Sequence, residues 1–406
     1  MKKSFMKVGM VLILVSMVGF LYRACELRYP NREHVMTNLT KDMQTHCVGR
    51  LLIDLPQDSH WKNDASSARI DDLSIEIETH VTYEEYVARM EKRWGEIASL
   101  KPQSDRYLNR PAETLRPGGS DYVFTYAFRQ SDGPGIDGKW RKSIAYEAEG
   151  YAWRKGTFFK IGPDLYSQPR ILKILPRLQA RLDHEIPNRP GFCLNGAFIE
   201  GYYDLEKDEG EEISWGFKLP KKLGLVIRHT KVWAPEQPML ERLSEADHEV
   251  AGYVASLLLR EPGKVAGRKE YRAAKRDVNG LPGEEYVMGG TEGRGDDDFK
   301  TNVGGGWEFP GAVAPTPMPQ IKVNIDTTYR THSRPAELGD FPDAQSLGDG
   351  PTEAEFFEVY DAIINSIRPR PGAFAPPPSS GGPVSGSPLG QGLSFERILA
   401  GLEGKR

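Results

Sequence analysis

The sequence has little of what a familiar catalytic centre needs. It contains no G-x-S-x-G turn, so a hydrolase serine has no recognisable seat. It has no Walker-type phosphate loop, and Gly304-Gly305-Gly306 lacks the strand–turn–helix setting of a phosphate cradle. None of the eight histidines forms an H-x-x-x-H pair or sits in a zinc-like spacing with cysteine. Long basic tracts are missing and the formal net charge is −4, which sets nucleic acid aside as a partner. Cysteine is scarce too: Cys25, Cys47 and Cys193 are the full set, too few for a disulfide-built scaffold. These absences predict a non-enzymatic protein with no cofactor, no metal site and no small-molecule substrate. Carboxylates brought together by folding are the one route left to an unrecognised active site.

What is present suffices for packed cores. The chain has 406 residues, 39% hydrophobic and 27% charged, which fits two or three domains of ordinary size. One long apolar run occurs, Val8 to Tyr22, preceded by Lys2, Lys3 and Lys7. At about 15 residues it falls short of the roughly 17–25 of a spanning helix, and it has the layout of a secretory leader. No convincing cleavage site follows, and Leu21-Tyr22-Arg23-Ala24 is a poor lipidation signal for Cys25. An uncleaved inner-membrane anchor over residues 5–22 is therefore favoured over a cleaved leader or a lipidated Cys25. Residues 26–45 read as a polar stalk. With Cys25 in the anchor, a Cys47–Cys193 bridge is the one intrachain pairing open to the remainder. Two buried free thiols are the alternative.

The remainder reads as one α+β unit used twice, each a mostly antiparallel sheet packed with two helices. In the first unit, residues 46–188, Cys47 to Pro56 reads as a strand, and Leu73-Ser-Ile-Glu-Ile-Glu alternates as a half-buried strand does. Thr82-Tyr-Glu-Glu85 is a capping box opening a helix with Tyr83, Tyr86, Val87, Met90, Trp94 and Ile97 at spacings of three and four. Strands follow at Tyr122–Phe128 and Ile144–Ile161, then a helix with Ile171, Leu175, Leu178 and Leu182 on one stripe. The second unit, residues 189–370, restarts at Cys193–Ile199. It continues through strands at Ile213–Leu219 and Leu223–Val232 and a helix over Met239–Leu259. Strands at Glu285–Met288 and Ile321–Tyr329 precede a second capping box, Thr352 to Glu355, and its helix. From residue 371 the Pro-, Gly- and Ser-rich composition predicts a disordered tail.

Cys47-x-Gly-Arg-Leu-Leu-Ile-Asp-Leu-Pro56 resembles the opening of the N-terminal domain of type VI secretion lipase immunity proteins, the partners of class-4 phospholipase effectors. Pro190-Gly-Phe-Cys-Leu-Asn-Gly196 resembles the opening of their C-terminal domain. Val278 to Glu285 and Ile363 to Arg368 are similar to later parts of that domain, so the resemblance runs over about residues 45–370. It implies a two-domain periplasmic protein that binds a cognate lipase effector and covers its active-site and lid region, gripping it in the manner of a claw. Candidate contacts are Tyr202, Tyr203, Glu206, Asp208 and Glu209 in one loop, and Arg294, Asp297 and Phe299 in another. The Gly-rich turn Asp132–Gly138 is a third candidate region. Each of these loops also reads as a plain solvated connection. A non-catalytic envelope scaffold or cell-wall-binding protein is the alternative function.

Overall fold

The computed structural model describes residues 38–374, apart from 102–106, 135–137, 183, 204–208, 245–263, 295–297 and 314–316. The anchor expected over residues 5–22, most of the stalk, and the tail from residue 375 onward lie outside the described residues. No helix among the described residues is long and apolar enough to cross a membrane.

The first repeat opens with a hairpin, β1 (Met43–Val48) and β2 (Leu51–Pro56), followed by β3 (His60–Ile70) and β4 (Leu73–Glu78). Helix α1 (Tyr83–Ala98) leads to β5 (Glu113–Leu115), β6 (Tyr122–Pro134), β7 (Trp140–Arg154) and β8 (Thr157–Leu165). A short helix α2 (Gln168–Ile174) and a closing strand β9 (Leu178–Ala180) end it. The second repeat has the same order. Its hairpin is β10 (Gly191–Leu194) and β11 (Ala197–Glu200), and β12 (Glu211–Lys218) and β13 (Gly224–Thr230) follow. Residues 239–244 are helical; the rest of the span expected as a helix, to Leu259, lies outside the described residues. Then come β14 (Lys264–Val278), β15 (Leu281–Arg294), β16 (Asp298–Phe309), β17 (Gln320–Thr331), helix α3 (Glu353–Ser366) and the closing strand β18 (Arg368–Pro369).

The sheets turn this repeated order into an interlocked molecule. The large sheet runs β14-β15-β16-β17-β13-β12-β3-β4-β8-β7-β6-β5. Its middle is the antiparallel pair β3 and β12, the equivalent strands of the two repeats, and the order outward is the same on both sides. Two small sheets exchange their closing strands: β9 of the first repeat pairs with β11 of the second, and β18 of the second pairs with β2 of the first. The repeats therefore share one core, in which Ile53 and Leu55 of β2 join Phe356 and Ile363 of α3. The opposite face of β6, β7 and β8 carries α1, whose Tyr86, Met90 and Ile97 pack on Phe124, Tyr126 and Tyr151.

Local chemistry explains several element boundaries. Thr82 caps α1: its hydroxyl accepts the Glu85 N–H at 3.2 Å, and the Glu85 carboxylate accepts the Thr82 N–H at 2.9 Å. Thr352 and Glu355 repeat this at α3, at 3.2 and 2.8 Å. Three sequence expectations are corrected. Cys47–Pro56 and Cys193–Ile199 are not single strands but hairpins, because Gly49 and Gly196 adopt positive φ (58° and 65°) and turn the chain. The helix expected through Leu182 stops at Ile174: Pro176 cannot donate a backbone bond, so Leu178 enters β9 and Leu182 is 78% exposed. The tail does not begin at residue 371. Ala373 is fully buried and Phe374 packs on the core.

Candidate partner-binding surface

The hairpin turns at Gly49 and Asn195 bring the two repeats into contact. A disulfide joins Cys47 and Cys193, equivalent positions 146 residues apart. Beside it, Gly49 donates to the Cys193 carbonyl at 3.0 Å and Cys193 donates back at 2.7 Å. A side chain at Gly49 would run into the His229 ring.

Arg50 follows in the turn and is completely buried. Its Nε donates to Glu211 Oε2 at 2.7 Å and its Nη2 to the other carboxylate oxygen. Its Nη1 donates to the carbonyls of Ala373 at 2.6 Å and Gly201 at 3.1 Å. The Tyr203 and Phe374 rings lie 5.3 and 5.9 Å from its guanidinium. One side chain thus ties the first hairpin to the second repeat and to the end of the described chain. Arg370, also buried, donates to the carbonyls of Pro187, Arg189 and Gly191. Burial, with the charges of Arg50 and Arg181 nearby, brings its pKa down to about 10.

His229 lies in the same core, fully buried, and neither ring nitrogen finds a hydrogen-bond partner among the described residues. Burial first, and the Arg50 charge second, hold its pKa well below 6.5. The unfolded chain takes up this proton below its ordinary pKa of 6.5; the folded chain does not. This group therefore leaves stability unchanged above that pH and lowers it as the pH falls. The slope reaches about 1.4 kcal/mol per pH unit. Urea midpoints at pH 7.5 and 5.5 check this: His229→Phe is expected to flatten the loss.

The sequence-predicted contacts divide. Tyr202 is half-buried and Tyr203 buried, its ring set beside Arg50. Glu209 accepts from Arg177 at 2.6 Å, an internal ion pair. Phe299 is completely buried beneath the end of β16, because its side chain alternates onto the core face, and this removes it as a contact. Arg294 is exposed at the end of β15. Glu206, Asp208 and Asp297 lie outside the described residues.

The repeat makes two of the predicted loops equivalent, since the β6–β7 and β15–β16 hairpins are the same hairpin of the two units. The β15–β16 arm is braced from the side: Thr291 and Thr301 hydroxyls bond at 2.8 Å, and Gly339 donates to Thr291 at 2.8 Å. The β6–β7 arm projects beyond a register shift at residues 126–129, where Ala127 takes a positive φ of 54°. Its return strand presents Lys139, Trp140, Arg141, Lys142 and Ile144 to solvent, with Trp140 71% exposed. The candidate regions read from the sequence included the turn before this stretch and left out Trp140. A tryptophan set among lysine and arginine, outside any apolar period, was the available signal. Exposed tryptophan and arginine on a projecting arm have the composition of an interface centre.

Models of two domains from one family match this chain. The N-terminal domain of Tle cognate immunity protein 4 covers residues 44–170, and the C-terminal domain covers residues 185–372. The chain belongs to that family. The immunity protein also resembles solved structures. A chain in the crystal structure of the Tle4-Tli4 complex is 22% identical, with a TM-score of 0.56, over 82% of this chain and 99% of that one. The apo structure of the immunity protein TplEi of T6SS from Pseudomonas aeruginosa matches with the same identity and TM-score, over 84% and 99%. TplEi complexed with "L" peptide matches at 22% identity and a TM-score of 0.53, over 81% and 98%. No curated protein matches the chain.

Proposed function

We propose that this immunity protein works in the periplasm, where it binds a cognate type VI secreted phospholipase and covers its active-site and lid region, with no chemistry of its own. The observation that carries the reading is the occurrence of both family domains, in order, across residues 44–372. The Cys47–Cys193 disulfide supports an oxidising compartment. Residues 5–22 would hold the protein at the inner membrane.

Mixing the full chain with its cognate phospholipase is expected to reduce phospholipase turnover to background at a one-to-one ratio. A lipase that stays fully active in excess immunity protein overturns the proposal. Trp140 is the arm's candidate anchor. Trp140→Ala is expected to weaken lipase binding at least tenfold, as removal of a central aromatic does, while leaving the melting temperature unchanged. Titration calorimetry paired with thermal melts checks both halves of that statement.

A further inference from the structure

The large sheet is loosely joined at one seam. β3 and β4 share only two cross-strand positions, Arg69↔Ser74 and Ile70↔Leu73, beside the turn at Asp71 and Asp72. Beyond these the strands part, β3 staying with β12 and β4 turning to β8. The edge of β3 at Ser66–Ala68 and the edge of β4 at Ile75–Glu78 that faces it therefore have no strand partner among the described residues. A cleft of about 460 Å³ opens between them. Its core side holds Trp61 and Trp215, their rings edge to face at 4.6 Å, with Ile75 and Ile77. Its outer rim carries Ser67 and two exposed carboxylates that are already ion-paired within the chain, Glu76 with Lys160 at 2.8 Å and Glu78 with Arg89 at 2.6 Å.

Two facing, unpaired strand edges call for an occupant that supplies amide N–H and C=O groups at strand spacing, and an extended polypeptide does so. A lipid tail or an ion cannot satisfy both edges. Successive residues of an inserted strand point to opposite faces. Inward ones would meet the two tryptophans and two isoleucines; outward ones would lie beside Glu76 and Glu78.

We infer that the β3–β4 cleft takes an extended segment of the lipase effector as an added strand, with apolar residues inward and polar residues outward beside the Glu76–Lys160 and Glu78–Arg89 pairs. This rests on the reading of the partner as the lipase. Hydrogen–deuterium exchange of the full chain, alone and with the cognate lipase, tests it. Amides of residues 66–68 and 75–78 are expected to exchange at least tenfold more slowly in the complex. Ser67→Trp fills the mouth of the cleft from an exposed position and is expected to weaken lipase binding at least tenfold. An inhibited complex in which these amides exchange as in the free protein overturns the inference and leaves the proposed function standing. Failure to form any complex removes both. Amides already protected in the free chain, and freed by deleting residues 1–37 or 375–406, would assign the cleft to the chain's own ends and overturn it as well.

Discussion

Arg50→Met is expected to destabilise the protein by about 3–5 kcal/mol, the usual cost of removing one partner from a buried ion pair. The reason is what remains. Glu211, itself nearly fully buried, loses both of its guanidinium bonds, and the carbonyls of Ala373 and Gly201 lose their donor. Methionine fills similar volume and can lie between Tyr203 and Phe374, so the loss is electrostatic rather than a cavity. Arg50→Lys should recover only part of it, because an ammonium cannot make the two-pronged contact with the carboxylate. Arg50→Met combined with Glu211→Met should regain most of the stability, since the desolvated charge disappears with its partner. Urea denaturation of the two single variants and the double variant measures these terms. A single-variant loss below about 1 kcal/mol would place Arg50 outside the stabilising set.

Removing the disulfide is the second large effect. Cys47→Ser with Cys193→Ser is expected to cost about 4–5 kcal/mol by the chain-entropy account, because the bridge closes a long loop. The residues lie 146 apart in sequence. Native distortion should be small, since Gly49 and Cys193 are already joined by two backbone bonds. The loss should therefore appear as a lower urea midpoint, with lipase inhibition retained wherever the protein is still folded. Reductant should move the wild-type midpoint toward that of the double variant and leave the variant unmoved. An equal response of both proteins to reductant would overturn the assignment.

Much of the architecture was legible where local chemistry decides. The boxes at Thr82 and Thr352 marked two helix starts because the cap bonds lie within four residues. Alternation in Leu73–Glu78 marked β4, and the order of elements revealed a repeated unit. The strands β14 and β16 were missed. β14 is rich in lysine and arginine because it borders the sheet, where its charges meet solvent and Asp361 of α3. β16 carries glycines at 304–306, one of which lets the Tyr360 ring approach: a side chain at Gly305 would strike it. Both depart from strand composition for reasons that lie in other elements.

For the candidate surface, the sequence pointed at loops and could not rank them. Tyr203 and Phe299 look like contact residues in a linear reading, yet the fold places both inside. Trp140, set among lysine and arginine, was not named and is exposed on an arm.

By itself, then, the sequence determined the repeated order of strands and helices, the family likeness and the helix caps, because each depends on neighbours along the chain. Only the tertiary structure decided that the repeats trade their closing strands, that Arg50 and Glu211 meet in the interior, and that β3 and β4 part to leave a cleft. Those outcomes depend on which distant edges and charges find partners once solvent is excluded, and no local pattern encodes that choice.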